Sequence, residues 1–280
     1  MKLDYLPPPP ELADYVAAFY LFESDEGSLD DLERADLGQF RLILSGQASV
    51  IFPDGREVPY FDKTLIGPRN TATRVVASGS PMRMFGYGLN PAGWAVMSGM
   101  HADVGADKVH SAVELTGYSL DPYMAEVAAA TTLAQMVAIT TVRSVDFFAE
   151  RKQPALWFIR ATEEWLKSSL TPEITDLEVA TGLSRRQIER LAKQYFGGPP
   201  KFLIRKYRAL RAANAIAHGK GDWQDYMDGT FYDQSHFIRE IKEFTGMTPS
   251  AIRGAASPLS ALTFARARLE GDVSPLVSET

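Results

Sequence analysis

Residues 231–249 place polar side chains on one face of a short predicted helix and an apolar stripe on the other. Phe237, Ile241 and Phe244 recur at i, i+4 and i+7, the spacing of a helix face that packs on a core. Asp233 precedes the stripe as an N-cap, and a Thr-Gly pair with a proline beyond it ends the helix. Guanidinium, amide and hydroxyl groups on the outer face of such a helix are suited to hydrogen-bond the base edges and phosphates of DNA.

A second copy of this pattern lies about fifty residues upstream, in residues 182–200. It repeats the cap, the polar outer face, the apolar stripe, the glycine and the proline in the same order. An internal repeat of this kind indicates two equivalent structural units. The corresponding residues are Ile188 and Phe237, Arg190 and Arg239, Lys193 and Lys242, and Gly197 and Gly246.

The outer faces of the two helices supply the candidate DNA contacts. Arg186, Glu189 and Arg190 share one face, and their side chains suit guanine edges and a cytosine amine. Their neighbours in the first unit are expected to meet phosphates. The full candidate set is Arg185, Arg186, Gln187, Glu189, Arg190 and Lys193 in the first unit, and Gln234, Ser235, His236, Arg239 and Lys242 in the second.

In the second unit, Gln234 suits adenine and Arg239 suits guanine. Ser235 and His236 lie near the N-terminal end of the helix, where the backbone approaches DNA. For His236 we favour a capping or packing role over a DNA contact, because a lone histidine carries little information about function.

The segment between the two units predicts a basic helix over residues 200–217. Leu210, Ala213 and Ile216 are spaced to pack on a core, and the basic side chains are expected to face phosphates. A rigid helix of this kind holds two reading helices so that they enter successive major grooves, about 34 Å apart.

Length and composition restrict the class of protein. The 280 residues include 45% hydrophobic residues, which is enough for a sizeable core and two domains. No apolar run approaches the ~18 residues of a membrane span, and the N-terminus lacks the apolar stretch of a secretory signal, so we expect a cytoplasmic protein that does not enter membranes. The absence of cysteine excludes disulfides, thiolate metal sites and cysteine nucleophiles.

Charge is distributed unevenly along the chain, whose net charge is −6. Residues 1–150 hold 10 Lys and Arg against 20 Asp and Glu, whereas residues 151–280 hold 19 against 15. Between residues 184 and 253 the balance is 13 basic to 7 acidic. A local basic region is what nucleic-acid binding requires, because only charges that meet phosphates release counterions.

The predicted elements give an α+β chain of two domains. Short segments rich in β-formers, separated by Gly, Pro and Ser, follow an acidic connector at residues 23–36 and predict a small antiparallel β-barrel or sandwich. Helical patterns follow, first in residues 92–97 and then as a hairpin over 119–148. We therefore place a barrel domain with a helical C-terminal part at residues 1–150.

The second predicted domain, residues 151–254, is all-α. An amphipathic helix over 155–167 opens it, and residues 176–181 supply the first helix of a helix-turn-helix, whose second helix Ser184 caps. Residues 255–280 are small, polar and punctuated by proline apart from a helix around 262–269, and are expected to form a loosely attached tail.

Residues 155–254 resemble the DNA-binding domain of the AraC/XylS family of transcriptional regulators. The resemblance rests on the strings GLSRRQIER, FYDQSHF and FTGMTPSAIR, which begin at Gly182, Phe231 and Phe244. It implies a double helix-turn-helix that binds asymmetric DNA sites, transcriptional activation through contact with RNA polymerase, and a first domain that senses a small-molecule effector or forms a homodimer. By the same correspondence, the base-facing positions are Arg186, Glu189 and Arg190, and then Gln234, Ser235 and Arg239.

The chain departs from the family pattern where the two helices of each unit cross. Glu178 and Tyr226 stand where the family has a small residue, and Thr230 stands where a turn glycine is common, with Gly229 just before it. A bulky side chain at a helix crossing pushes the helices apart. We therefore expect distortion in the second unit.

Residues 1–120 resemble the β-barrel sensor domains of the same family, most distinctly at residues 85–94. Arg41, Arg74 and Arg83 either bind an anion or face solvent. Aromatic residues on alternating strand positions are more often core than pocket lining. The aromatic residues in question are Phe40, Phe52, Tyr60, Phe85, Tyr87 and Trp94.

Two alternatives belong to other classes of protein. A cupin-like enzyme would need metal ligands, but His101 and His110 are the only histidines of the first half, and neither belongs to a His-x-His pair. We therefore predict no metal, no cofactor and no catalysis. The other alternative is a regulator controlled by protein–protein contact rather than by a small ligand.

Overall fold

The computed structural model describes residues 1–220, 231 and 233–280. In this part of the chain, the first half is built on one antiparallel sheet whose strands are β1 (Lys2–Leu6), β2 (Val16–Ser24), β3 (Ser28–Glu33), β4 (Gly38–Ile51), β5 (Glu57–Pro59), β6 (Lys63–Ile66), β7 (Thr73–Leu89) and β8 (Val109–Ser111). The spatial order is β1-β2-β7-β4-β6-β8, while β3 pairs with β7 and β5 pairs with β4. The sheet-rich domain agrees with the predicted fold class.

The two long strands, β4 and β7, pair with each other at the centre of the sheet and connect its two ends. Their register shifts between Ile43 and Ser45 and again before Gln47, so that each strand bends and contributes to two sets of pairings. Bulges of this kind increase local twist and let a sheet curl into a barrel. The sequence predicted short strands separated by Gly, Pro and Ser, but β4 and β7 are long bent strands, because such residues within them lie at irregularities of the pairing and not at chain reversals.

Both faces of the central strands are buried. Phe40 and Tyr87 are register partners on one face and stack at 4.8 Å between ring centroids in the apolar core of the domain. Gln39 and Arg41 alternate with them, as the two-residue period of a strand requires, and they are buried on the opposite face. That second face therefore encloses a polar interior.

Five helices belong to the first half, and β8 lies between the second and the third: α1 (Pro91–Ser98), α2 (Ala102–Gly105), α3 (Ala112–Thr116), α4 (Asp121–Ala129) and α5 (Leu133–Glu150). They cover the apolar face of the barrel, where Trp94 is fully buried. Tyr15 and Phe148 stack at 4.5 Å and fix the end of α5 against the start of the chain. The predicted helix opening near residue 92 and the helical hairpin are both present.

The second half of the chain is helical. Its elements are α6 (Leu156–Ser168), α7 (Ile174–Thr181), α8 (Arg185–Phe196), α9 (Pro200–Ala217), α10 (Gln234–Thr245) and α11 (Pro249–Arg253), followed by α12 (Pro258–Phe264), a 3-10 segment (Ala265–Leu269) and α13 (Pro275–Ser278). In the described residues, no helix is both long enough and apolar enough to cross a membrane.

Helix α9 runs through two small apolar cores. Leu203 and Tyr207 belong to the core that holds α7 and α8. Leu210, Ala213 and Ile216 belong to the core that holds α10, as their spacing predicted. One continuous helix therefore joins the two units.

The prediction of a loosely attached tail at residues 255–280 is wrong. Leu259, Phe264 and Leu276 are buried, and the backbone N–H of Leu259 donates to Asp31 Oδ2 at 2.7 Å. The segment is small and polar because it packs closely on the barrel, where Ser260 Oγ donates to a carbonyl oxygen of β3 at 3.0 Å. Low hydrophobicity of a segment therefore does not imply loose attachment.

The acidic connector at residues 23–36 is a second correction, because its middle forms β3. Strand β3 alternates buried and exposed side chains, with Leu29 and Glu33 buried. Its acidic residues have partners that are distant in sequence: Asp30 pairs with Arg74 on β7. The acidic run that the sequence predicts to be a connector is therefore in part a strand, and its charges pair with residues across the sheet.

Candidate nucleic-acid interface

Helices α7 and α8 form the first helix-turn-helix unit. Gly182 ends α7 in the left-handed region at φ 66°, a conformation that glycine adopts without strain, and Ser184 follows as the N-cap of α8. Ile188 and Ala192 are fully buried against α7 and its neighbours. Five of the six candidate residues of this unit are exposed charged side chains, namely Arg185, Arg186, Glu189, Arg190 and Lys193.

Gln187, the sixth candidate, also serves its own helix. Its Oε1 accepts hydrogen bonds from the backbone N–H and the hydroxyl of Ser184, at 2.9 and 2.8 Å. This contact satisfies one of the donors that a helix N-terminus leaves free. The carbonyl of the Gln187 side chain thus fixes the start of α8, while its contact with phosphate stays a prediction.

Helix α10 carries the second set of candidates. Asp233 caps it, since Asp233 Oδ1 accepts from the backbone N–H of His236 at 2.7 Å, as predicted. Phe237, Ile241 and Phe244 are fully buried, which confirms the predicted apolar stripe. Gln234, Ser235, Arg239 and Lys242 are exposed.

A buried carboxylate of α10, Glu240, is a residue that the sequence patterns missed. It is 1% exposed and accepts from Arg205 at 2.8 Å and from Arg208 at 2.6 Å. His236 Nε2 lies 3.3 Å from the same carboxylate, and its ring packs edge-on against Phe231. His236 thus has a packing and pairing role, while its contact with DNA stays a prediction.

Most of the basic side chains of α9 pair with groups of the protein, contrary to the expectation that they face phosphates. Arg205 and Arg208 bind Glu240, and Arg205 also binds Glu243 at 2.5 Å. Arg211 pairs with the side chain of Glu279 at 3.1 Å. A count of charges along the sequence cannot separate cations that face solvent from those that hold helices together.

The departures at Tyr226, Gly229 and Thr230 fall outside the described residues. In the first unit, Glu178 is half-buried, and its carbonyl oxygen accepts the N–H of Gly182 at 2.9 Å, which keeps the C-terminal hydrogen bond of α7 intact.

The barrel domain hydrogen-bonds to α10 through its backbone. The N–H of Ala35 donates to the carbonyl oxygen of Phe244 at 2.7 Å, and the N–H of Ala72 donates to that of Glu243 at 3.1 Å. The last carbonyls of a helix have no partner within the helix. The barrel therefore supplies two of the hydrogen bonds at the C-terminal end of α10.

The barrel also contacts α8 and α9. Asn70 Nδ2 donates to the carbonyl oxygen of Gly197, which ends α8, at 3.3 Å. Lys206 of α9 is buried, and its Nζ donates to the carbonyl oxygens of Asp36 at 3.0 Å and Arg69 at 2.7 Å. Burial lowers the pKa of Lys206 to about 8. The barrel segments at residues 35–36 and 69–72 thus contact both helix-turn-helix units.

Among the arginines proposed for an anion, only Arg41 lies in the interior. It donates to Glu33 at 2.6 Å and to the hydroxyl groups of Tyr20 and Tyr60 at 3.0 and 3.1 Å. Burial alone would raise the pKa of Glu33, but its arginine neighbours outweigh burial and lower it. Arg74 and Arg83, in contrast, sit nearer the surface, where they pair with Asp30 and Glu23.

Most of the aromatic residues suggested for a pocket are core, which was the favoured interpretation. Tyr60 differs, since it lines a cavity on the polar side of the sheet together with Arg41. The buried core members are Phe40, Phe52, Phe85, Tyr87 and Trp94.

Comparisons with known proteins agree with this architecture. Residues 177–255 match a family described as a helix-turn-helix domain, and residues 4–111 match a family described as a domain of unknown function, DUF6597. No curated protein matches the chain.

Similar solved structures have low sequence identity. ToxT from Vibrio cholerae, solved at 1.65 Å, aligns at 10% identity over 91% of this chain and 98% of its own, with a TM-score of 0.49. Unsaturated-fatty-acid-bound ToxT from Vibrio cholerae aligns at 11% identity over 83% and 92%, with a TM-score of 0.48. The AraC-like transcriptional activator CuxR aligns at 15% identity over 75% and 86%, with a TM-score of 0.29.

The helix-turn-helix match and the exposed polar faces of α8 and α10 define the class: the protein is a DNA-binding transcriptional regulator. Residues 177–255 of its helical half match a helix-turn-helix domain, in the same region where the sequence resembles the AraC/XylS family.

Proposed function

We propose that this protein is a sequence-specific transcriptional activator in which α8 and α10 read successive major grooves and the barrel domain controls them. The observation that carries the proposal is the common design of the two helices. Each buries its apolar stripe in a separate core and leaves its polar face exposed, and α9 passes through both cores. A continuous helix can hold two readers one helical turn of DNA apart.

In the proposed complex, Arg186, Glu189 and Arg190 of α8 contact base edges, and Gln234 and Arg239 of α10 do the same in the next groove. The flanking exposed side chains meet phosphates. Their positions on the surface support this assignment: these side chains are exposed, and the apolar stripes beneath them are buried.

The proposed division of labour places the controlling domain at residues 1–150 and the DNA-binding domain at residues 151–254. The barrel has direct hydrogen bonds to the C-terminal ends of both α8 and α10. A change in the barrel loops would therefore alter the position of both readers. Contact with RNA polymerase, a small-molecule effector and a homodimer are the partners proposed with this function.

Selection of duplexes from a random DNA library by the purified full-length protein tests the proposal. We expect enrichment of sites with two sequence blocks about one helical turn apart, and binding that weakens steeply as salt rises. Failure to enrich any sequence would refute sequence-specific binding.

Arg190→Ala tests the assignment of residues on the selected site. We expect specific binding to weaken by about 1–3 kcal/mol, because a bidentate contact to a base edge is lost. Arg56→Ala is the matched control, since Arg56 is an exposed arginine of the barrel domain and pairs only with Asp54 among the ion pairs of the described residues. Equal affinity of both variants would remove Arg190 from the proposed interface.

A further inference from the structure

The polar face of the barrel sheet encloses a cavity with two chemically different ends. Its apolar end is lined by Phe22, Val75 and Met82, with Leu259 of the C-terminal segment closing over them. Its other end is lined by arginines and two carboxylates. A cavity of this shape suits a molecule with a charged head and an apolar body.

The carboxylates at the charged end are already engaged. Glu33 accepts from Arg41 at 2.6 Å and also pairs with Arg69. Asp36 accepts from Arg266 at 3.2 Å through both of its oxygens. Two carboxylates thus pair with three arginines, which leaves an excess of positive charge at this end of the cavity.

Arg34 adds a fourth arginine to this end, and it has no acceptor. It is 2% exposed, and within the described residues none of its three guanidinium nitrogens has a hydrogen-bond partner. Its contact with the ring of Phe264, 5.7 Å from the centroid, does not satisfy these donors. Burial, reinforced by the charge of Arg266, lowers the pKa of Arg34 to about 10, so the group is a cation at neutral pH.

A buried guanidinium without an acceptor is strongly unfavourable, and such groups in native proteins are paired or bind a ligand. A planar guanidinium matches a carboxylate in geometry and donates two parallel hydrogen bonds to it. A carboxylate would satisfy the donors of Arg34, and the apolar end of the cavity favours an anion that carries hydrocarbon.

The volume of the cavity restricts the size of this anion. Measured as space open to the centres of water molecules, it is about 80 Å³. One water needs roughly 10–15 Å³ on this measure, so the space corresponds to roughly five to eight non-hydrogen atoms. Hexanoate, with six carbons and two oxygens, falls at the upper end of this range.

We propose that the barrel cavity binds a short-chain monocarboxylic acid whose carboxylate accepts hydrogen bonds from Arg34 and whose chain lies against Phe22, Val75 and Met82. This inference rests on the controlling role proposed for the barrel, and it names the chemical class of the effector.

The position of Arg34 in the chain connects this site to the DNA-binding domain. The next residue, Ala35, donates its N–H to the last turn of α10, and the carbonyl of Asp36 accepts from Lys206 of α9. A carboxylate that draws the Arg34 guanidinium toward itself therefore acts on the same short segment that holds α9 and α10.

Thermal unfolding and calorimetric titration of the full-length protein with hexanoate test the proposal directly. A ligand that binds only the folded protein raises its melting temperature. We expect a rise with hexanoate, a smaller rise with acetate, and none with 1-hexanol, hexylamine or inorganic phosphate. Absence of binding by any carboxylate from acetate to octanoate, or equal binding of hexanoate and 1-hexanol, would overturn the proposal.

Arg34→Met separates ligand binding from a structural role. We expect the unliganded variant to melt at the same or a higher temperature than the wild type, because it removes an unpaired buried charge. Its affinity for hexanoate should fall at least about tenfold, the loss of one charge-assisted hydrogen bond. A variant that is less stable and binds hexanoate normally would show that Arg34 is structural only. The matched control is Arg74→Met, which removes an exposed arginine that does not line the cavity.

Val75→Phe provides a second variant that leaves Arg34 in place. It fills the apolar end, so hexanoate binding should be lost while acetate binding is kept. Retention of hexanoate binding would overturn the proposed position of the chain. These assays contain no DNA. A failure of hexanoate to bind would overturn the ligand proposal only, because DNA binding is tested separately by the duplex selection.

Discussion

Helices α8 and α10 share a cap, an apolar stripe and a terminal glycine, yet they are held on the protein in different ways. The buried contacts of α8 are mainly apolar, with Ile188 and Ala192 packed in its core, and Tyr195 adds one hydrogen bond, which its hydroxyl accepts from the N–H of Ala155. Helix α10 adds a buried carboxylate, Glu240, that binds two arginines of α9. The barrel donates two backbone hydrogen bonds to α10, whereas α8 receives one from a side chain.

Two copies of one sequence pattern can therefore be held in place by different kinds of contact. Helix α8 is attached by apolar packing and by hydrogen bonds of uncharged groups. The position of α10 depends on ion pairs and on the barrel. Any signal that reaches the barrel loops therefore acts more directly on α10 than on α8.

The largest expected effect comes from Glu240→Ala. It leaves Arg208 buried without its carboxylate, and breaking a buried pair in this way costs about 3–5 kcal/mol of the free energy of unfolding. Glu189→Ala on α8 is the matched control, since Glu189 is exposed and should change stability by no more than about 0.5 kcal/mol. Urea denaturation of both variants measures the difference, and similar losses would contradict it.

The variant Lys206→Met tests the buried lysine by which α9 is hydrogen-bonded to the barrel. Because the pKa of Lys206 is about 8 in the folded protein and 10.5 as its ordinary value, the folded state binds fewer protons between these pH values. The free energy of unfolding of the wild type should therefore rise with pH across this window, by at most about 3 kcal/mol. We expect the variant to lack this rise. Chemical denaturation of both proteins across this pH range measures the free energy of unfolding. If the wild type and the variant showed the same rise with pH, Lys206 would not be its cause.

Replacing the caps compares the ends of the two helices. Asp233→Ala removes an acceptor for a backbone N–H of α10 and should cost about 1 kcal/mol. Gln187→Ala should destabilise α8 by a similar or smaller amount, because the Gln187 carbonyl accepts from Ser184. Thermal unfolding without DNA measures both. If Gln187→Ala weakened DNA binding alone, the side chain would act on phosphate and not on its helix.

The smallest effects on stability are expected for Lys193→Ala and Lys242→Ala, which are exposed at matching positions of the two units. Each should leave the free energy of unfolding within about 0.5 kcal/mol of the wild type and reduce the slope of log K against log salt by roughly 1. A change in slope for only one lysine would show that only one of the two helices meets phosphate there.

The sequence allowed the helical elements to be predicted closely because their signals are local. The predicted helix over residues 200–217 matches α9, and Ser184 and Asp233 lie at the N-caps assigned to them. Capping residues, glycines in the left-handed region and apolar spacing act within a few residues of the chain.

The charged interior could not be predicted, because its partners are far apart in the sequence. Glu33 and Arg69 are 36 residues apart, and Asp36 and Arg266 are 230 apart. No periodicity links such pairs, so no sequence pattern points to Arg34 or Arg266, whereas the run of arginines on α9 stands out in the sequence and predicts contact with phosphate.

The packing of residues 257–280 on the barrel affects how the protein can be divided. Leu259 closes the cavity and Arg266 binds Asp36, so the end of the chain completes the fold of its beginning. Expression of residues 1–150 alone would leave a barrel without one wall, and a chimera that exchanged barrels between relatives would need to exchange this C-terminal segment with them. The same segment also packs on the helical half, since Phe264 lies in the core that holds α10 and Leu276 in the core that holds α8, so it joins both parts of the chain.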